Sequence, residues 1–397
     1  MCIVALMTVT GALASIRAHP LRFWADLRSR DWAAIAVALI AVTLPDVMPV
    51  MVVALQRQFG IGPEAAGAVI SANMGGILVA TVLAPPLLVR ASERLLLHAG
   101  LTVMVMGNVA TIVVGDYGVL LGVRALSGLG EGLACAVGYG LMARSARPGV
   151  SVSLYAAGQN IIAAGGMALL TLMIAAHGPS IFYIAVSVIA LPALLLVPIA
   201  VRGAPRGSGS VARTTVPRRG VAPLAAIALV FTGMGLSWTF LERIGSAHGL
   251  AAAGVAALLS LAASAGMVGP LVAAVAADVL RLRPVLVAAA GAALLAAVGL
   301  RMGGATVTIA AACLLRFTWA FVYPFLFRLM AEREPSGRAA TITPLATAAA
   351  STVAPYLGGT LLERFGIDAL LAASATFVMT GLALALWISP PAGAQEQ

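Results

Sequence analysis

The sequence predicts an all-α membrane protein: twelve transmembrane helices in two pseudo-symmetric six-helix bundles. Three observations predict it. Hydrophobic residues make up 61% of the 397 and charged residues 10%, with a mean hydropathy of +1.04. A water-facing globule carries roughly 25% charge, so this chain has too little polar surface to cover one. The apolar residues also fall in runs of about 20, each long enough to cross a hydrocarbon core of about 30 Å as a helix. Finally, the runs divide evenly about one polar stretch in mid-chain.

Residues 1–32 read as a cytoplasmic or interfacial N-terminal segment. Its first 16 residues are apolar, but a secretory signal carries its positive charge before the apolar core, and here Arg17 comes after it. The segment therefore reads as interfacial, or as the product of an upstream start codon. The first bundle, 33–200, holds candidate spans at 33–55, 64–88, 95–114, 118–142, 151–176 and 179–200, each bounded by charge, Gly or Pro. Residues 201–222 contain five Arg and no acid in a Gly/Ser/Pro background, as expected of a flexible linker on an anionic leaflet. The second bundle, 223–388, holds spans at 223–241, 250–276, 284–301, 305–328, 339–362 and 367–388, followed by a cytoplasmic tail at 389–397.

Orientation follows from the basic residues, all 24 of which are Arg. With the N-terminus inside, 18 of the 24 fall on the cytoplasmic side, against Arg57, Arg243, Arg301 and Arg364 outside and Arg124 and Arg316 within spans. Sustained over every loop, that asymmetry places both termini in the cytoplasm. It also accounts for the net charge of +10 without nucleic acid, because no clustered basic and aromatic surface is present to follow a phosphate backbone. Trp24, Trp32 and Trp387 then lie near the cytoplasmic interface. Cys2, Cys135 and Cys313 are widely separated and have neither a disulfide framework nor metal-ligand spacing. No cofactor or metal is expected.

A shift of 193 lays Ala156–Leu170 over Ala349–Glu363, matching Ala156, Ala157, Gly165, Gly166 and Leu169 with their partners. The fifth span of one half thus overlies the fifth of the other, and Arg124 in span 4 answers to Arg316 in span 10. Two parallel repeats related by an axis along the membrane normal place a binding site at their interface near the midplane.

On these features the chain resembles the major facilitator superfamily across roughly 33–388. RALSGLGEG (Arg124–Gly132) looks like the family's R-x-x-Q-G-x-G segment, with Ser127 where Gln is usual and Glu131 as an added acid. ADVLRLR (Ala277–Arg283) keeps the acid and basic residues of the family's gating loop, which implies gating roles for Asp278 and Arg281; LLVRASER after span 2 lacks the Asp. The antiporter signature is incomplete in span 5 and closer in span 11, where APYLGG runs from Ala354 to Gly359. The resemblance implies a monomeric secondary transporter in a bacterial cytoplasmic membrane, coupled to protons. Its leading substrates would be exported drugs or metabolites, and the alternative is uptake of an organic acid.

Charges within spans need a reason, because each costs about 2.5–3.5 kcal/mol at the bilayer centre on insertion scales. Asp46 lies between Pro45 and Pro49, where a broken helix beside a wet cavity would let a carboxyl exchange protons. Arg124 and Glu131 are seven residues apart on one face and about 10 Å apart along the axis, a separation that predicts no direct pairing. Asp46 is expected to reach across to one or both, with Asp46 and Glu131 as the proton carriers and Arg124 in their charge network. A static network holding spans 1 and 4 together is the competing reading. On span 10, Arg316, Trp319, Tyr323 and Phe327 share a face suited to a planar ligand with negative charge, although Phe327 reads as packing. Trp238, Gln159, Asn160, Asn73 and Tyr139 complete the candidate cavity. Glu242, Arg243 and His248 read as anchors at the outer end of span 7.

An enzyme would need a catalytic constellation, and none appears: there is no H-E-x-x-H, no phosphate-binding Gly-rich loop with its Lys, and no nucleophile partnered by His. A channel or a transporter-derived scaffold would lack the use of an acid-bearing, proline-broken span between repeated halves.

Overall fold

The computed structural model describes residues 27–145, 147–203, 218–276, 280–334 and 338–389. Among the described residues all regular structure is helical: α1 (Ser29–Ala41), α2 (Thr43–Asp46), α3 (Met48–Phe59), α4 (Pro63–Arg90), α5 (Glu93–Val113), α6 (Tyr117–Ala143), α7 (Pro148–His177), α8 (Ser180–Ala200), α9 (Arg218–Thr239), α10 (Leu241–Ala247), α11 (Ala252–Ala276), α12 (Leu282–Met302), α13 (Ala305–Arg333) and α14 (Arg338–Ile388). Ten of these are long and apolar enough to span a membrane. The remaining two of the expected twelve spans have local causes. Span 1 is cut into the short pieces α1–α3, and α14 joins spans 11 and 12 through a reversal at Gly366, where φ is +82° and only glycine is at ease. The break at Gly366 coincides with the boundary expected between 362 and 367.

Proline causes the interruption of span 1. Pro45 and Pro49 remove two backbone donors, and the chain leaves helical geometry at Val42 and Val47, both at φ −108°. Their N–H groups tighten onto Leu39 (3.3 Å) and Leu44 (3.2 Å), three residues back. Span 7, the counterpart in the second half, is interrupted at Phe240 (φ −109°), between α9 and α10. The sequence expectation ended that span at 241; the structure carries it on to Ala247. Elsewhere the helix ends lie close to those expected, except that α9 begins five residues early, at Arg218, and α13 runs five residues past 328, to Arg333. Polar caps stand at Ser92, which accepts from the Leu95 N–H (3.2 Å), and Asp116, which accepts from that of Val119 (2.8 Å).

Within the first half, α4 and α5 pack on α6, and α1 packs on α6 and α8; within the second, α9 packs on α14 and α11 and α12 on α13. The halves meet where α4 crosses α14 and α7 crosses α11. The α4–α14 crossing is close enough to exclude a side chain, since a Cβ at Gly67 would collide with the Pro355 carbonyl and one at Gly359 with that of Pro63. Polarity is arranged for an apolar solvent: Arg124 and Glu131 are fully buried, whereas Leu195 is 78% exposed.

Candidate functional site

Two polar clusters lie near the middle of the spans, and they differ in kind. The first is a closed network on α6. Arg124 donates from Nη1 to Asn108 Oδ1 (2.8 Å) and from Nη2 to Asn73 Oδ1, with Nη2 3.5 Å from Glu131 Oε1. Glu131 is held further by Asn73 Nδ2 (2.9 Å) and the Ser127 hydroxyl (3.1 Å), and the Tyr183 ring lies 5.9 Å from the guanidinium. The structure thus corrects two expectations. Arg124 and Glu131 do pair, because the axial rise separates their Cα atoms while two long side chains close the distance. Asp46 reaches neither of them. Asn73, expected in the cavity, is fully buried as the bridge between the two charges. The network fastens α4, α5 and α6 to one another. Asn108, which completes it from α5, gave no signal in the sequence beyond being a polar residue in an apolar run.

The second cluster lies between the halves. Asp46, at the end of α2, accepts one hydrogen bond, from Gln159 Nε2 on α7 (3.3 Å), and its other oxygen is buried without a partner. Tyr139 and Tyr155 stand beside it, edge to face with ring centroids 4.9 Å apart, and the Cys135 thiol lies 3.9 Å from the Tyr155 hydroxyl. Across the interface Asp46 and Arg316 of α13 act on each other electrostatically without ion-pair contact. Arg316 lies over the indoles of Trp238 (4.1 Å) and Trp319 (4.9 Å), and its Nε is buried without a partner. Phe231 meets Trp319 and Tyr323 edge-on and completes the aromatic wall. Gly266 of α11 makes room for this arrangement, since a Cβ there would stand 3.3 Å from Arg316 Nη2.

The structure therefore brings together Asp46, Gln159, Tyr139, Arg316, Trp238, Trp319 and Tyr323 from among the expected residues, and adds Tyr155 and Phe231. Asn160 instead donates to the Ala156 carbonyl of its own helix (2.8 Å), and Phe327 is 39% exposed. Arg281 is an exposed residue just ahead of α12, and Asp278 lies outside the described residues. Glu242 accepts from the Ser246 hydroxyl (2.9 Å), and His248 is bonded to Thr308 (2.8 Å), both at the end of the second half away from the termini.

Polar ties join the halves on the side away from the termini. Arg364 grips Glu64 with two hydrogen bonds of 2.9 Å, Glu363 accepts from the Glu64 N–H (2.7 Å), and the Tyr356 N–H donates to Ser71 (3.0 Å). Tyr139, four residues from the end of α6, is 42% exposed although it lies within electrostatic reach of Asp46 and of Tyr323 in the other half. The arrangement is a charged, aromatic-lined site at mid-depth between the halves, with polar ties joining them on the side away from the termini.

Residues 32–354 match the family model described as Major Facilitator Superfamily. The chain belongs to the Major Facilitator Superfamily. No curated protein matches it in sequence. Among solved structures it is similar to the one titled crystal structure of D-xylose-proton symporter, with a TM-score of 0.70, 14% identity, and coverage of 91% of this chain and 98% of that one. At that identity the likeness is one of fold. The superfamily member described here is accordingly a multi-pass membrane transporter and not an enzyme.

Proposed function

We propose that the protein is a proton-coupled transporter that binds a small organic anion between Asp46 and Arg316 and moves it by alternating access. One observation carries this reading: two charged groups of opposite sign, in opposite halves, each bury a polar atom that has no partner, Asp46 Oδ2 and Arg316 Nε. The indoles over Arg316 leave a ligand to meet the N–H edge of the guanidinium, the geometry that suits a carboxylate. An anion seated there cancels the field of Arg316 at Asp46 and lets Asp46 take a proton. Proton and anion then favour each other, which is the linkage a symporter requires. Glu131, with donors on every side, is a structural anchor in this reading.

Tyr139 and Tyr155 beside Asp46 favour a second reading, in which an organic cation displaces the proton and is exported. Similarity to a proton symporter supports the use of protons in either case. The Arg asymmetry supports cytoplasmic termini in a bacterial inner membrane, with the bundles 33–200 and 223–388 rocking about the site as a monomer.

Proteoliposome flux tests the proposal. An imposed pH gradient should drive saturable accumulation of organic anions in the direction of proton flow. Asp46→Asn should abolish that accumulation while leaving substrate exchange at equilibrium. Gradient-driven accumulation at the wild-type rate in Asp46→Asn would refute the assignment, and accumulation against proton flow would select export.

A further inference from the structure

A second cavity, of about 630 Å³, lies at the terminus-side ends of α9, α13 and α14, away from the Asp46–Arg316 site. Arg218, Arg219 and Arg333 line it together with Glu332, and its apolar wall includes Pro223 and Trp387. The acid does not neutralise the three cations, because Glu332 is engaged by Arg328 at 2.8 Å. Arg218, Arg219 and Arg333 make no ion pair among the described residues, and Arg333 Nε is buried with no hydrogen-bond partner. Arg218 and Arg219 are the first described residues of α9, so the positive end of that helix lies in the same region. Trp387 stands at the rim, 80% exposed, near the end of the last span, where an indole meets lipid headgroups.

Three guanidinium groups without an ion-pair partner among the described residues, together with the buried, unpartnered Arg333 Nε, make a site for an anion carrying several acceptor oxygens, which describes a phosphate. The apolar wall and the exposed indole suit the glycerol and upper acyl region of a lipid. We infer that this cavity holds the phosphate headgroup of an anionic membrane lipid, bridging the first, fourth and sixth spans of the second half. Nothing in this inference depends on the transported substrate or on proton coupling.

Native mass spectrometry of the full-length purified protein tests it, using phosphatidylglycerol, phosphatidylcholine and inorganic phosphate as probes. Phosphatidylglycerol should be retained at least about tenfold more tightly than phosphatidylcholine. The triple variant R218Q/R219Q/R333Q should lower phosphatidylglycerol retention to the phosphatidylcholine level, whereas Arg301→Gln, at the opposite membrane face, should leave it unchanged. Should the triple variant fail to fold, Arg333→Gln alone should weaken retention about threefold. Equal retention of the two lipids, or undiminished phosphatidylglycerol binding in the Arg variants, would overturn the inference. Displacement of phosphatidylglycerol by millimolar inorganic phosphate would reassign the site to a soluble anion and overturn the lipid.

Discussion

Replacing Glu131 with Gln separates the two acids of the first half. The substitution keeps the shape of the side chain and removes its charge, leaving Arg124, fully buried, without a counter-ion. Removing one partner of a buried pair costs about 3–5 kcal/mol, because the remaining charge is stranded in a low dielectric. The amide oxygen of Gln can still accept from Arg124 or Ser127, which places the expected loss near the lower end, about 3 kcal/mol. In a chain of this size that is a fall of about 3–5 °C in the unfolding midpoint. The double variant R124Q/E131Q, having no stranded charge, should lose at least about 1 kcal/mol less than the sum of the two single variants. Thermal unfolding in detergent, followed by tryptophan fluorescence, measures the stability; proteoliposome flux normalised to folded protein measures coupling. Glu131→Gln should be destabilised yet still driven by a pH gradient. A variant as stable as wild type but uncoupled from the gradient would show that Glu131 carries the proton and that the donors around it do not fix its charge.

Three further outcomes follow from the geometry. Arg316→Lys keeps a positive charge but loses the planar donor edge stacked on Trp238 and Trp319, so KM for an anionic substrate should rise about tenfold with the response to a pH gradient intact, as read from flux curves. Gly359→Ala places a methyl group against the Pro63 carbonyl and should hold the side away from the termini open, seen as a longer electron-spin distance between labels on α4 and on α14 near Tyr356. Glu64→Gln removes the exposed pairing with Arg364 and should shift the same distance distribution only slightly, and not at all in high salt.

The span pattern was legible because a membrane imposes one rule, internal satisfaction of every backbone group, on each crossing segment. Pro45 and Pro49 announced the break beside Asp46 for the same reason. The break at Phe240 was not legible, because no proline marks it. The Arg124–Glu131 pairing was misjudged because helical periodicity gives azimuth and rise, not the reach of two long side chains drawn together by an asparagine on another helix. The grouping of Asp46 with Arg316 lay further out of view. The two are 270 positions apart, and only the meeting of the halves makes them neighbours. The pairing of Glu64 with Arg364 is hidden for the same reason, each reading as an isolated charge at the end of a span.

The matched discontinuities in spans 1 and 7 have a mechanical consequence. A continuous rod tilts as a whole and must carry both of its tips with it, whereas a jointed one can bend its far third while its base stays seated. Each half here owns such a joint, beside Asp46 in span 1 and beside Trp238 in span 7. In the proposed alternating-access cycle, the end remote from the chain termini would therefore seal or loosen by a local flexure, ahead of the larger swing of one half against the other.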